Sequence, residues 1–176
     1  CWERDLNDTD YLNQLKYIQK MDIRLLVDQS CSKFGSNVYI SPCEKGLAEI
    51  SYKSLLHFVY SFDKYLDEVV VREADCISVI LNNSTLMILI FLSTIFNRRV
   101  FVPINPNSSA KEIEYILNDT DAKLLLFDSK ISDKIELVSF NQKKEWISDQ
   151  KEFIKMINLK HNSSIIKSNN IPDPEF

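Results

Sequence analysis

Hydrophobic and polar positions follow two rhythms along this chain, and the switch between them marks out its elements. Tyr11, Leu12, Leu15 and Ile18 recur at helical spacing within residues 10–20. A second helix is expected after Asp22 as a cap, with Ile23, Leu26, Val27 and Cys31 on one face and Gly35 as its stop. NVYIS and LAEIS alternate as strands do, and SPCEKG between them reads as the turn of a hairpin. Ser51 then caps a helix running through Leu66, with Leu55, Phe58, Val59, Phe62 and Leu66 inward. CISVIL is a short apolar run without alternation, the pattern of a parallel strand buried on both faces. After the polar corner NNST come an apolar stretch from Leu86 to Phe96 and VFVPI, which reads as a second buried strand. Ser109 and Glu112 form a capping box that opens a helix to about Asn118, with Ile113, Ile116 and Leu117 inward. AKLLLF is a third strand, ending at Asp128. Beyond Ser129 the pattern weakens to a short helix (Ile131–Ile135), a strand (ELVSF) and a helix (Glu152–Ile157).

Strands alternating with helices of this length imply an α/β fold: a parallel sheet of successive βαβ units with helices on both faces, preceded by a helix and a β-hairpin. The expected divisions are a helical extension over 1–21, the α/β unit over 22–158 and a polar linker over 159–176. The apolar core of LMILIFLSTIF tests an alternative. A membrane span needs about 20 apolar residues. Leu86 to Phe96 is about 16 Å of helix, and Asn82, Asn83 and Ser84 on one side and Asn97, Arg98 and Arg99 on the other interrupt it. It is read as a crossover helix buried nearly all round, not as a span.

Composition narrows the chemistry. The net charge is −4 and no basic stripe with interleaved aromatics occurs, which argues against nucleic acid as a partner. Cys1, Cys31, Cys43 and Cys76 are scattered, in no CxxC or Cys/His cluster, so they read as free thiols of a reducing cytoplasm rather than a metal or redox site. The polar start CWERDLNDTD does not read as a signal peptide, so the Asn-x-Ser/Thr triplets at Asn7, Asn83, Asn107, Asn118 and Asn162 are expected to be chance matches. With no initial Met and an ending at NNIPDPEF, the chain is expected to be a piece of a longer protein. There are only two glycines, Gly35 and Gly46. Glycine-rich loops that close backbone N–H groups on a phosphate are therefore absent from the sequence.

Three segments in order resemble the adenylate-forming enzymes: acyl-CoA synthetases, luciferases and peptide-synthetase adenylation domains. ISYKSLLHFVYSFDKYL is similar to that family's Thr/Ser-Tyr-x-x-Leu helix entry, which places Tyr52 in the motif. DCISVILNNSTLMILIFLSTIFNRRVFVPINPNSSAKEIEYILNDTDAKLLLFD resembles the stretch that follows, with Pro103, Asn105 and Pro106 in its strand-ending Val-Pro-Ile-Asn-Pro. LLVDQSCSKFGSNVYI resembles the family's first helix and strand, so the resemblance covers residues 22–128. Its most specific part is Val102 to Asp121.

There are departures. Asn97-Arg98-Arg99 stands where the family has a glycine before its strand, and Glu73-Ala74-Asp75-Cys76 where it has Gly-Asp-x-Val. The Ser/Thr/Gly phosphate loop, the later adenine and ribose motifs and the C-terminal lysine are missing; in the family the loop follows shortly after a segment like the terminal DPEF.

The resemblance implies an enzyme that activates a carboxylic acid as acyl-AMP with ATP and Mg²⁺ and passes it to CoA or a carrier-protein thiol. This chain would form its N-terminal part, bind no cofactor by itself and need the remaining subdomains in cis or in trans. VPINP sits closer to the acyl-CoA branch than to the peptide-synthetase branch. The alternative is a non-catalytic, split or degenerate module that docks onto a partner chain.

No residue is assigned a catalytic or metal-binding role. Tyr52, Pro103, Asn105 and Pro106 are read as structural. Asp128, at the end of a parallel strand, is read as the cap of the following turn rather than a phosphoacceptor. His57 reads as a surface or packing histidine and His161 as solvated. Arg98 and Arg99 read as a solvated corner at a helix C-terminus, with an anion such as a CoA phosphate as the alternative partner.

Overall fold

The strand run CISVIL becomes the centre of a parallel sheet because nothing along it tolerates water: Ile77, Ser78, Val79 and Ile80 are each fully buried. The computed structural model describes residues 23–42 and 49–165. Helix α1 (Ile23–Phe34) leads to a two-stranded antiparallel hairpin, β1 (Val38–Ile40) and β2 (Ile50–Ser51). Helix α2 (Tyr52–Glu68) follows, and then the βαβ units: β3 (Cys76–Ile80), α3 (Thr85–Phe96), β4 (Val100–Pro103), α4 (Ala110–Asp119) and β5 (Leu124–Asp128). A 3₁₀ turn (Ser129–Ile131) and α5 (Ser132–Glu136) lead to β6 (Lys143–Ile147) and α6 (Gln150–Ile165). The sheet order is β4-β3-β5-β6, all parallel.

The pleat of β3 sorts the core into two layers. Ile77 and Val79 face α2, α3 and α6, together with Leu124 and Leu126 of β5. Ile80 faces α4 and α5, with Leu125 and Phe127. Helices thus cover both faces of the sheet, as the alternation of elements requires. Ser51 caps α2, Ser84 caps α3, and the Ser109–Glu112 capping box opens α4.

Several expectations change. Leu26 is exposed, and only Cys31 of α1 is buried. VFVPI is not a buried strand: β4 is the edge of the sheet, and Val100 is 46% exposed. Helix α3 is likewise not buried all round, because it lies over that edge and leaves Ile88 and Phe91 in solvent. ELVSF forms no strand. Its glutamate ends α5, and Val138 packs into the core through a turn whose N–H bonds the Ile135 carbonyl at 3.1 Å. The fourth strand is KKEWI, whose charges suit an edge but hide its periodicity. Helix α6 continues to Ile165, past Leu159 where a linker was expected. The helix expected over 10–20, the Asp22 cap, most of the SPCEKG turn, Cys1, Cys43 and the His161 side chain lie outside the described residues. Among the described residues no helix is long and apolar enough to cross a membrane.

The shortage of glycine shows at the helix ends. Helices α2, α3 and α4 all close with the same pair of backbone bonds. Val71 N–H reaches Leu66 O at 2.9 Å, Arg99 N–H reaches Thr94 O at 2.9 Å and Ala122 N–H reaches Leu117 O at 3.1 Å. That closure needs a left-handed residue just after the cap, a place usually held by glycine. Here Val70, Arg98 and Asp121 hold it, with φ of 61°, 55° and 48°. Left-handed backbone costs an L-residue roughly 1–2 kcal/mol, and a β-branched valine most.

Two expectations follow from this packing. Val70→Gly relieves strain at an exposed position and raises stability by about 1 kcal/mol, net of glycine's greater unfolded-state entropy; an unchanged denaturant midpoint would refute the strain. Leu89 of α3, 1% exposed, does not tolerate charge: Leu89→Asp costs several kcal/mol and abolishes cooperative unfolding as followed by circular dichroism.

Candidate functional site

In an open parallel sheet, ligands bind beyond the C-terminal strand ends where the connections leave in opposite directions. That point here lies between β3 and β5, since the chain leaves β3 for the β4 side and returns across it to β5. Three loops build the rim. After β3, Asn82 and Asn83 are exposed, and Ser84 Oγ accepts the Met87 N–H at 3.2 Å. After β5, the Asp128 carboxylate accepts the Lys130 N–H at 2.9 Å, the capping role expected of it. After β4, the chain turns out of the sheet. Ile104 N–H still bonds Val79 O at 2.9 Å, and Asn105 Oδ1 then accepts the Asn107 N–H at 2.9 Å.

The structure places Pro103 as the last residue of β4, and Asn105 and Pro106 in the turn that follows. Lys134 of α5 fastens this turn, donating from Nζ to Pro106 O at 2.8 Å and Ser108 O at 3.0 Å. Tyr52 sits in another cluster. Its ring packs on Tyr39 (4.9 Å between centroids) and Phe34 (5.7 Å), and its carbonyl accepts the Cys31 thiol at 3.0 Å. The motif residues are therefore brought into two clusters, a turn at the rim and a joint between α1, the hairpin and α2.

Chemically the three loops offer the Asn82 and Asn83 amides, serine hydroxyls such as Ser84, the Asp128 carboxylate and the Lys134 ammonium. Among the described residues no group of three His, Cys, Asp or Glu side chains could hold a metal. His57 links helices, its Nδ1 lying 3.2 Å from Asn158 Oδ1 of α6. Burial pushes the Cys31 and Cys76 thiols up, which keeps both protonated and poor nucleophiles. A cavity of about 440 Å³ opens at the opposite rim, among Arg72, Asp75, Lys123 and Lys143. Asp121 pairs with Lys123 at 2.6 Å and Glu145 with Lys143 at 3.3 Å, so two of its cations are already neutralised.

The least expected side chain is Arg99. It is not a solvated corner: it is 7% exposed, and all five of its N–H groups are used. Nη1 donates to Asp63 and to Asn97 O at 2.9 Å, Nη2 to Asp67 at 3.1 Å and Val71 O at 3.0 Å, and Nε to Val71 O at 3.2 Å. One signal was legible. Asp63 and Asp67 lie four apart near the C-terminus of α2, where like charges repel each other and the helix dipole. Such a pair calls for a cation from elsewhere in the fold.

The model of the family described as AMP-binding enzyme matches residues 27–175. No curated protein matches the chain. Solved structures share the fold at low identity. VinN, in complex with L-aspartate, is 21% identical over 77% of this chain and 38% of its own, with a TM-score of 0.64. A long-chain-fatty-acid-CoA ligase (FadD1) from Archaeoglobus fulgidus is 17% identical over 80% of this chain and 30% of its own, at 0.66. The N-terminal subdomain of NpsA from Klebsiella oxytoca, in complex with 3-hydroxybenzoyl-AMSN, is 16% identical over 86% and 34%, at 0.63. The chain thus spans about a third of the length of these neighbours.

Arg99→Met removes a buried cation together with the donors for Val71 O and Asn97 O, and is expected to cost about 2–4 kcal/mol. Asp67→Asn, at a side chain 70% exposed, should change stability by less than about 1 kcal/mol. Equal losses in urea denaturation would contradict this division.

Proposed function

The chain belongs to the AMP-binding enzyme family, and we propose that it is the N-terminal scaffold of an ATP-dependent ligase that activates a carboxylic acid as acyl-AMP and passes it to a thiol, CoA or a carrier-protein phosphopantetheine. The observation that carries this reading is the family match over residues 27–175 laid on a sheet whose switch point is built but chemically sparse. Adenylation places charge on phosphoryl oxygens, and stabilising it takes positioned N–H donors, a cationic side chain and Mg²⁺. At the rim the Asp128 carboxylate is already engaged by Lys130 N–H, and Lys134 is held by two carbonyls. ATP and Mg²⁺ therefore draw on residues of the remaining subdomains, present in cis or in trans, while this chain shapes part of the acyl and thiol approach.

The Asn97-Arg98-Arg99 departure does not weigh against this role, since Arg99 is spent inside the fold rather than at the rim. The acid is unassigned; VPINP favours the acyl-CoA branch.

The test is exchange of labelled pyrophosphate into ATP across a panel of fatty, aromatic and amino acids. Residues 1–176 alone are expected to stay at background, and the same chain joined to the segment carrying the phosphate loop to show acid-dependent exchange. Exchange by the isolated chain would mean that the catalytic groups are already present in it.

A further inference from the structure

Among the described residues Lys134 pairs with no carboxylate. Its ammonium is spent on two main-chain oxygens instead, Pro106 O at 2.8 Å and Ser108 O at 3.0 Å. These bonds join the turn that leaves β4 to the helix that follows β5. β4 and β5 flank β3 in the sheet, so the tie runs past the end of β3, at the switch point. It lies on one face of the sheet. Ile104, which opens the turn, and Ile135, next to Lys134, share the apolar layer of α4 and α5.

The tie has a firm end and a weak one. α5 is five residues long, too short to hold itself, and the fold holds it from three sides. Ile135 and Val138 are buried, Ser139 N–H bonds the Glu114 carboxylate of α4 at 2.8 Å, and Lys144 of β6 donates from Nζ to Val138 O at 3.1 Å. The turn has bonds of its own, Asn107 N–H to Asn105 Oδ1 and Ser108 N–H to Asn105 O, each at 2.9 Å. Among the described residues, no hydrogen bond except those of Lys134 ties residues 105–108 to an element outside the turn. Bonds from an ammonium to carbonyls are charge-assisted and strong. A neutral apolar side chain in its place would leave the turn anchored at its two ends only, by β4 and by the Ser109 cap.

We propose that Lys134 is a positioning residue for the acid substrate: it holds the 105–108 turn against α5 and so fixes one wall of the crevice at the switch point. The proposal rests on the reading above that the chain is part of an acid-activating ligase. Lys134 touches no reacting atom in this role. Releasing the turn weakens binding of the acid in the ground state and the transition state alike, which raises KM and leaves kcat in place.

The test is pyrophosphate exchange by the chain joined to its following segments, with an acid that the panel above identifies. Lys134→Met is expected to raise KM for the acid at least fivefold, with kcat and KM for ATP within twofold of wild type. Lys134→Arg, which keeps the charge and the donors, should bring KM for the acid back to within twofold. Lys111→Met, at an exposed lysine of α4, should change none of these. In residues 1–176 alone, Lys134→Met should speed hydrogen exchange at the Asn107 and Ser108 amides at least tenfold and leave the buried Leu125 amide unchanged. An unchanged KM for the acid, a loss shared by kcat and KM for ATP, no recovery in Lys134→Arg, or unaltered exchange at the two turn amides would each overturn the assignment. The two ideas fail separately: an active wild type indifferent to Lys134→Met rejects Lys134 and keeps the ligase, whereas a wild type without acid-dependent exchange rejects the ligase and this role with it.

Discussion

A single buried guanidinium sets where the parallel sheet begins. Arg99 is the last residue before β4, yet its partners lie on the end of α2 and the chain after it: Asp63, Asp67 and the Val71 carbonyl. A cation removed from water is costly unless every donor is met, and here all five are. The planar guanidinium suits this task where an ammonium would not. Once it is satisfied, the C-terminus of α2, the loop into β3 and the start of β4 are fixed relative to one another. Asn97 adds a second tie between α3 and α2, through its side-chain N–H₂ on Val59 O at 3.0 Å. The glycine-poor sequence makes these ties more important, because three helices end in left-handed residues that pay for the same closure glycine gives freely.

The layers that follow are apolar and locally specified. Leu55, Phe58, Val59, Phe62 and Leu66 were visible as one helical face, and each is buried where that spacing puts it. The Ser109–Glu112 box was equally plain, because its two hydrogen bonds depend only on residues three apart. Long-range relations were harder. Val100–Pro103 looked buried from its composition, but whether an apolar strand is central or at an edge depends on sheet order, which no local window contains. KKEWI was hidden for the converse reason, as an edge strand is selected for charge. Arg99 was misread because a cation beside a helix end has a plausible solvated role, and its carboxylate partners lie 36 and 32 residues away.

Of the candidate site, the turns of the rim were legible and the side chain that fastens them was not. Asp128 caps its turn as the sequence suggested, and Pro103, Asn105 and Pro106 occupy the exit of β4. Lys134 was missed, since nothing in the spacing announces that a lysine of α5 will fasten a turn 26 residues earlier. What emerges is a platform. Its strands end together at a switch point, its loops are held by caps and one ammonium, and its reactive inventory is thin. This fits a chain that spans about a third of its solved relatives; under the proposed function, other segments carry the groups that handle phosphate.

The most direct measurement is calorimetric titration of MgATP into residues 1–176, and into the same chain joined to its following segments, under identical conditions. The account predicts no saturable heat for the isolated chain up to millimolar nucleotide and a saturable one-to-one isotherm for the joined protein. A one-to-one isotherm from the isolated chain would place the nucleotide site on the platform itself and contradict the division of labour described above.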